Sequence, residues 1–272
     1  MNLKYKDNHE KSSLTLSLSF WLHAERNGFY LGFLDLGGSY IKGRATLAKS
    51  DSNQVQGSKK PRDGGAFAQE LRFGYKYFFG RVGLRHAAFI NYQLGAVPLN
   101  FGNDLIVALN YGFNTDLLIN WTNDKLDREY GAKNIEFFKA YYPVITGRAV
   151  TADQMDQLEE TRKNVALRSS GLVIGMELGA STWFLDSKLI PSPFDQVKNR
   201  TIFQLSGKFG VRWNTDIYND QGYLVSSASI ELGVKVPAFN VNYYRDGDGN
   251  QLEYKRMVSG YLNVTYNFKN KN

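Results

Sequence analysis

Residues 253–268 read EYKRMVSGYLNVTYNF, and apolar residues alternate with polar ones along most of this stretch. Side chains on a β-strand point to opposite faces in turn, so a period of two predicts a strand with one apolar and one polar face. The pattern continues well beyond the roughly 5 to 6 residues that are usual for a strand in a soluble domain. The apolar face is expected to contain Tyr254, Val258, Gly260, Leu262, Val264, Tyr266 and Phe268, and the polar face Lys255, Ser259, Asn263, Thr265 and Asn267.

Seven earlier stretches show the same alternation, which predicts eight strands in all. The fourth is the clearest, because every second residue from Leu105 to Trp121 is apolar or aromatic except Thr115. A tilted membrane-spanning strand needs only about 9 to 11 residues, so strands of this length fit a transmembrane β-barrel. The predicted strands are Gly28–Arg44, Phe67–Phe79, Val82–Leu94, Asp104–Trp121, Gly171–Phe184, Thr201–Trp213, Tyr223–Ala238 and Glu253–Phe268.

Two places do not fit a simple alternation. Trp183 falls on the polar phase of the fifth strand, and a β-bulge or a different register would explain it. In the first strand, apolar residues occur in both phases, so the sequence does not decide which face meets lipid. The competing sets are Phe29, Leu31 and Phe33 against Tyr30, Leu34 and Leu36.

The composition excludes several classes of protein. The chain has 272 residues and no cysteine, so it has no disulfide scaffold, no thiolate zinc site and no cysteine nucleophile. It contains no apolar run of about 18 residues, which a membrane-spanning helix would need. The net charge of +7 is spread along the chain. Without a basic cluster, this charge indicates a solvated surface and no nucleic-acid partner.

Met1–Ala24 has the features of an export signal. A lysine-containing start precedes a short apolar core, Leu14–Leu22, and Ala24 is the small residue that a signal peptidase prefers. We expect cleavage after Ala24, which leaves 25–272 as the mature barrel domain. The alternative is that the alternating LTLSLSF segment is itself a first strand.

Charged residues recur on the polar faces of the predicted strands. An eight-stranded barrel has an interior just wide enough for side chains to fill, so inward-facing charges are expected to pair with one another. Asp116 is expected to pair with Arg85, and Glu231 with Lys208 or Arg212. A catalytic carboxylate pair or a proton path is the alternative use of such side chains. The predicted interior network consists of Glu70, Arg72, Lys76, Arg85, Asp116, Glu177, Lys208, Arg212, Glu231 and Lys235.

The sequence offers little for catalysis. His86 is the only histidine after the predicted signal, and it falls on the outward phase of the third strand. A histidine-based hydrolase or acyltransferase would therefore have no well-placed base. The segment Asp246–Asn250, DGDGN, is similar to part of a calcium loop but lacks a spaced glutamate ligand. A hairpin turn between the last two strands is the simpler interpretation. We therefore expect no enzyme activity, no cofactor and no metal site.

Several stretches together resemble the Helicobacter outer membrane protein family, whose paralogues include porins and adhesins. The resemblance covers the first strand and nearly all of residues 67–268 except one insert. Large adhesin members carry a long domain after the first strand, whereas this chain has only Ala45–Gly65 there. The matching stretches are NGFYLG (27–32), YGFNTDLLINW (111–121), SSGLVIGMELGASTWF (169–184), FQLSGKFGVRWN (203–214), ELGVKVPAFNVNYY (231–244) and LEYKRMVSGYLNVTYNF (252–268).

The resemblance implies an antiparallel up-and-down β-barrel in the bacterial outer membrane. Its implied partners are outer-membrane lipid and lipopolysaccharide, a host or surface ligand at the loops, and the barrel assembly machinery. That machinery would read Tyr266 and Phe268 as the closing aromatic signal, although the polar tail Lys269–Asn272 follows them. Trp121 and Trp213 are expected to be interfacial aromatics.

The insert, residues 122–168, separates the fourth and fifth strands. Thr151–Asn164 is expected to form a helix with Thr151 as N-cap, Asp153 in its first turn and basic residues near its end. If both chain ends are periplasmic, the insert is a periplasmic appendage. The alternative is that Asn134–Ile145 adds strands and raises the count to ten.

Two functions remain from the sequence alone. The first is a surface barrel with a structural or adhesive role at its loops, and the second is a small porin with a narrow pore. Open channels need more than eight strands, which favours the surface barrel. A soluble, lipocalin-like binder is the least favoured alternative.

Overall fold

The computed structural model describes residues 25–47, 60–99, 102–121, 125–185, 194, 197 and 199–268. The predicted signal segment, residues 1–24, lies outside these ranges, so the expected cleavage site stays a prediction. No helix in the described part of the chain is long and apolar enough to cross a membrane.

Most of the described chain forms one antiparallel sheet. The strands are β1 (Gly28–Thr46), β2 (Arg62–Phe79), β3 (Val82–Leu99), β4 (Gly102–Asn120), β5 (Lys125–Asp127), β6 (Val165–Leu185), β7 (Asn199–Tyr218), β8 (Leu224–Pro237), β9 (Val241–Arg245) and β10 (Gln251–Asn267). The sheet closes on itself, because β1 pairs with β10 as well as with β2. Of its ten strands, β5 and β9 each pair with one neighbour only, so the other eight form the ring. The predicted eight-stranded antiparallel barrel is confirmed.

β9 continues the line of β8 along β10, although only β8 also pairs with β7. β8 pairs with the later part of β10 and β9 with its beginning, and both run in the same direction. The predicted hairpin turn Asp246–Asn250 joins β9 to β10, with Gly249 at a φ of 92°, which suits glycine. The Asp246 carboxylate accepts hydrogen bonds from the Asn250 side chain at 2.7 Å and from the Asn250 backbone N–H at 2.9 Å. The side-chain bond is the main reason why the pKa of Asp246 is lowered.

Each ring strand runs along the barrel wall from one end of the barrel to the other. We call the end at which β1 begins and β10 ends the terminal end, and the opposite end the distal end. The tight Gly80–Arg81 turn, with Gly80 at a φ of 63°, and the insert between β4 and β6 lie at the terminal end. The hairpin turn after β9 lies at the distal end.

The two faces of the wall differ in chemistry. Outward-facing side chains are mostly exposed apolar or aromatic groups, whereas inward-facing side chains are buried and mostly polar. An apolar outer surface on a closed ring is typical of a wall that faces lipid. The exposed apolar residues include Phe67, Leu71, Phe73, Tyr77, Leu84, Ile90, Leu94, Tyr111, Phe113, Ile174, Met176, Leu178, Phe203, Phe209, Ile230, Leu232, Val234 and Val236.

A β-bulge resolves the ambiguous face of the first strand. The register of β1 against β10 shifts between Gly32 and Leu34, so Phe33 and Leu34 are both exposed. Phe29 is outward before the bulge, and Tyr30 is inward and buried. The competing sets were therefore both partly right, because the outward phase changes within the strand.

A second register shift changes the phase of β10. It lies between Tyr40 and Ile41 on β1, opposite Val258 and Arg256. From Val258 to Phe268 the predicted faces are correct. Before the shift they are reversed, so that Tyr254 is buried inside and Lys255 is exposed outside. The predicted positions of these two residues are wrong because one extra residue, Met257, is accommodated in the strand.

The insert is helical. Helix α1 spans Tyr130–Thr146 and helix α2 spans Ala152–Glu160. Because Asn134–Ile145 lies within α1, the alternative of ten membrane strands is wrong. Thr151 is the N-cap of α2 as predicted, and it forms a capping box with Gln154.

The predicted helix over Thr151–Asn164 is too long at its end. α2 stops at Glu160, so Arg162 and Lys163 lie beyond the last turn. Arg162 turns back instead and donates to the Glu159 carboxylate at 2.7 Å.

The outward apolar face predicts a large difference between two substitutions of one residue. Met176 is 60% exposed on the middle of β6. Met176→Arg should lower the free energy of unfolding by about 2 to 4 kcal/mol in a bilayer, because the charge would lie near the midplane. Met176→Leu keeps the apolar surface and should change it by less than about 1.5 kcal/mol. Urea unfolding in phospholipid vesicles measures both, and equal effects would contradict a lipid-facing Met176.

Candidate functional site in the barrel interior

The barrel interior contains a charged cluster that balances to zero. Among the described residues, seven acidic and seven basic side chains are buried. All ten residues of the predicted network are among them, and four members were not predicted. We call this set the interior network: Glu25, Asp35, Glu70, Asp116, Glu177, Asp216 and Glu231, with Arg72, Lys76, Arg85, Lys208, Arg212, Lys235 and Arg256.

One half of the interior network is built around two carboxylates. Asp116 accepts from Arg85 at 2.5 Å and from Lys208 at 3.1 Å. Glu231 lies 2.7 Å from Arg85 and 2.9 Å from Lys208. The expected pairs of Asp116 with Arg85 and of Glu231 with Lys208 are therefore present, and each cation is shared by both carboxylates.

The other half is built around Arg72. Its guanidinium donates to Glu70 and lies 3.0 Å from Asp35 and 3.3 Å from Glu177. Lys235 bridges two of the same carboxylates, at 2.6 Å from Glu70 and 2.9 Å from Glu177. Arg72, Lys235, Glu70 and Glu177 thus each have more than one ionic partner, which offsets the cost of removing their charges from water.

Tyr261 connects the two halves. Its hydroxyl donates to Glu231 at 2.7 Å. The ammonium groups of Lys208 and Lys235 each lie 5.3 Å from the centre of its ring, a distance typical of cation–π contacts. The predicted strand pattern did not include Tyr261 as an inward aromatic. Its position next to the outward Leu262 indicates an inward side chain, because side chains alternate along a strand.

Glu25 closes the terminal end of the interior. It lies just before β1 and is buried, at 2.6 Å from Arg212 and 3.0 Å from Lys76. Ser169 donates to it at 3.3 Å. Arg212 was expected to be able to pair with Glu231, its cross-strand neighbour. It contacts Glu25 instead, because Arg85 and Lys208 already neutralise Glu231.

An apolar cluster closes the distal end. Trp183 is completely buried there and stacks on Tyr254 with ring centres 5.9 Å apart. Its Nε1 donates to Ser181 at 2.7 Å. β6 pairs with β4 and β7 without a register shift, so neither a bulge nor a different register explains its phase. The cluster comprises Ile41, Ala45, Val97, Leu99, Ile106, Ala108, Trp183, Leu185, Phe194, Val241, Tyr243, Leu252 and Tyr254.

The space left between these layers is small. A cavity of about 30 Å³ lies beside Glu177, Lys235 and Arg256. This is room for roughly two water molecules, whereas pockets for small organic ligands measure about 300 to 1,000 Å³. The interior therefore has no chamber of substrate size at this position.

The predicted aromatic sites lie on the outer wall. Trp121 and Trp213 are both half exposed near the terminal end. They lie at the same height on the wall, because Trp121 donates to the Ser170 hydroxyl at 3.0 Å and Trp213 is the cross-strand neighbour of Ser170. Phe268 packs edge-on against Tyr266 at 5.5 Å. These positions fit an interfacial aromatic belt and a closing aromatic pair, whose recognition by the assembly machinery stays a prediction.

The four unpredicted members of the interior network have separate causes. Glu25 precedes the first strand, and Asp216 follows the predicted end of the sixth. The two bulges reverse the phase at Asp35 and at Arg256. His86 is on the outer wall as expected, with Nδ1 3.0 Å from the Thr115 hydroxyl.

Comparison with known proteins gives one family, and the distantly similar solved structures include two outer-membrane proteins. A sequence profile described as Helicobacter outer membrane protein matches residues 70–268. No curated protein sequence matches the chain. The outer membrane protein OprG from Pseudomonas aeruginosa aligns over 91% of this chain and 100% of its own, with 9% identity and a TM-score of 0.32. Ail, the attachment invasion locus protein of Yersinia pestis, aligns over 89% and 100%, with 11% identity and a TM-score of 0.24.

The interior network predicts that one neutralised carboxylate destabilises the barrel. Glu231→Gln leaves the buried Arg85 and Lys208 short of one counter-charge, so the free energy of unfolding should fall by about 3 to 5 kcal/mol. As a control, Glu159→Gln removes a carboxylate from the exposed contact with Arg162 and should cost less than about 1 kcal/mol. Urea unfolding followed by heat-modifiable migration compares the two. A Glu231→Gln effect no larger than the control would show that the interior charges do not depend on one another.

Proposed function

The chain belongs to the Helicobacter outer membrane protein family and is an outer-membrane β-barrel, and from this premise we propose that it is a closed, non-enzymatic surface barrel. Its interior holds the wall together, and its contacts with other molecules are made by the outer wall and the distal loops. The observation that carries this proposal is the filled interior. Seven buried acids and seven buried bases, most of them in ion pairs, occupy the middle, and the Trp183 cluster occupies the distal end.

The alternative within the family is a narrow pore. A conducting pore would hydrate its charged groups separately, whereas these groups contact one another. Arg85, for example, contacts both Asp116 and Glu231 within 2.7 Å. Opening a path would require breaking these contacts and displacing Trp183. The arrangement therefore favours the closed barrel over the porin.

The absence of enzyme activity is part of the same proposal. Six of the seven interior carboxylates form ion pairs, and Asp216 accepts hydrogen bonds from Asn214 and Ser227. The cavity beside Glu177 is too small for a substrate. His86 points outward, against Thr115. The proposed ligands are instead lipopolysaccharide at the outer wall and a host or surface ligand at the distal loops. These loops include the hairpin turn Asp246–Asn250.

The outer wall carries a basic feature suited to lipopolysaccharide phosphate. On β1 and β10 the apolar outward residues end distally at Tyr40 and Val258, and the next outward pair is Lys42 directly opposite Lys255. We call these two lysines the basic rung. Like charges directly opposite each other on a sheet repel. Two outward carboxylates lie near the basic rung: Asp63, opposite Lys42 on β2, which accepts from the Tyr40 hydroxyl, and Glu253, two residues from Lys255. A phosphate group above the apolar belt would reduce the repulsion between the two lysines.

Planar-bilayer recording of the purified mature protein tests the closed barrel. We expect no stable conductance steps, since the interior network and the distal cluster fill the cross-section. Protein that migrates in the heat-modifiable, folded form is the material to use, so that silence does not reflect misfolding. Reproducible steps of one size would refute the closed barrel and favour the narrow pore.

A double substitution tests the basic rung. Lys42→Gln with Lys255→Gln should weaken binding of the folded protein to phosphorylated lipid A by roughly thirty-fold, at about 1 kcal/mol for each lysine near a charged lipid surface. Lys163→Gln, at the terminal end, is the control and should leave binding unchanged. Dephosphorylated lipid A should bind wild type and variant equally. Equal losses in the rung variant and the control would remove lipopolysaccharide phosphate as the partner of this site.

A further inference from the structure

Helix α1 has three distinct sides. One side packs within the insert: Ile135 is buried, and Phe138 and Tyr142 are half-buried, with Gln154 of α2 donating to the Tyr142 hydroxyl at 3.3 Å. Gly131 is fixed by donating to the Asn164 carbonyl at 3.0 Å. These contacts hold the helix within the insert, and its other sides are exposed.

A second side is apolar and exposed. Phe137, Tyr141, Val144 and Ile145 recur at the i, i+4, i+7, i+8 spacing that places residues on one face. Val144 is 78% exposed and Ile145 is 79% exposed. We call these four residues the α1 apolar face. The third side is polar and includes Glu136, so α1 has the arrangement of an amphipathic helix at a membrane surface.

The start of α1 lies beside the lipid-facing wall. On β6 the outward residues run from Met176 through Leu172 to Ser170 and Arg168 towards the terminal end. Trp121 contacts Ser170, and the ring of Tyr130, the first residue of α1, lies 5.8 Å from the Arg168 guanidinium. The helix therefore begins on the outer side of the wall, just past the interfacial tryptophans.

From this position we propose that α1 lies in the membrane interface at the terminal end, with the α1 apolar face inserted among phospholipid chains. The occupant of that face is the lipid leaflet that already surrounds the adjacent wall. The face would continue the apolar belt of the barrel, at a depth of roughly 5 to 10 Å below the headgroups. This inference rests on the barrel spanning a membrane and is independent of the basic rung.

The charges on α1 predict how its insertion depends on the lipid composition of the bilayer. α1 carries Lys133 and Lys139 against Glu136, and Lys133 is itself within 3.1 Å of Glu129 and 3.5 Å of Asp127. With its cations largely matched, the helix is held by apolar burial and not by attraction to anionic lipid. Insertion should therefore be the same with and without anionic lipid in the bilayer.

The absence of cysteine from the chain allows a site-specific test. Ile145→Cys and Glu136→Cys place a single label on opposite sides of α1, since nine residues span about two and a half turns. Each full-length mature variant is labelled with an environment-sensitive fluorophore and reconstituted into phosphatidylcholine vesicles with or without doxyl-labelled phosphatidylcholine. We expect the label at position 145 to lose more than half of its fluorescence to the lipid quencher and the label at 136 to lose little.

Two outcomes would overturn the proposal. Equal, weak quenching at both positions in folded, heat-modifiable protein would place α1 in water. A shielded label at position 145 that escapes the lipid quencher, together with cross-linking between copies at that position, would assign the face to a second copy of the chain. Both substituted residues are exposed, so neither change should prevent folding.

Discussion

The pairing of β1 with β10 is the constraint on which the rest of the structure depends. Unpaired backbone groups are costly in lipid, so a membrane sheet must close. Closure brings the beginning of β1 beside the end of β10, where the Phe268 N–H donates to the Phe29 carbonyl at 2.9 Å. Phe29 also packs on Phe73 of β2 at 5.9 Å, so aromatic rings cover the seam on the lipid side.

Closure also decides what the interior must contain. A ring of eight strands is too narrow for free water to hydrate many ions, so buried charges have to neutralise one another. The partners come from distant parts of the chain: Arg85 on β3 contacts Glu231 on β8, and Lys208 on β7 contacts Asp116 on β4. β3 and β8 lie opposite each other in the ring, so the Arg85–Glu231 pair spans the interior. The interior network therefore makes strand assembly and interior packing depend on each other.

The sequence predicts the regular part of this design and misses its irregularities. A period of two is enough to identify eight strands and ten inward charges, because each follows from the position of a residue in its strand. It cannot locate a bulge, since one inserted residue changes the phase without changing composition. Asp35 and Arg256 were missed for this reason. Trp183 needs neither a bulge nor a different register, because its phase is inward and an eight-stranded interior accepts a large aromatic where the charged layer ends.

The bulge at Met257 shows how one residue serves both sides of the wall. Before it in the chain, Tyr254 points inward and stacks on Trp183, while Lys255 points outward opposite Lys42. Without the phase change, the lysine would enter the apolar distal cluster and the tyrosine would face solvent and lipid headgroups. A charge in that cluster would have no carboxylate to pair with, because the interior acids lie deeper. The bulge therefore completes the distal closure and creates the basic rung in a single step, which links the closed interior to the surface on which we propose that the protein acts.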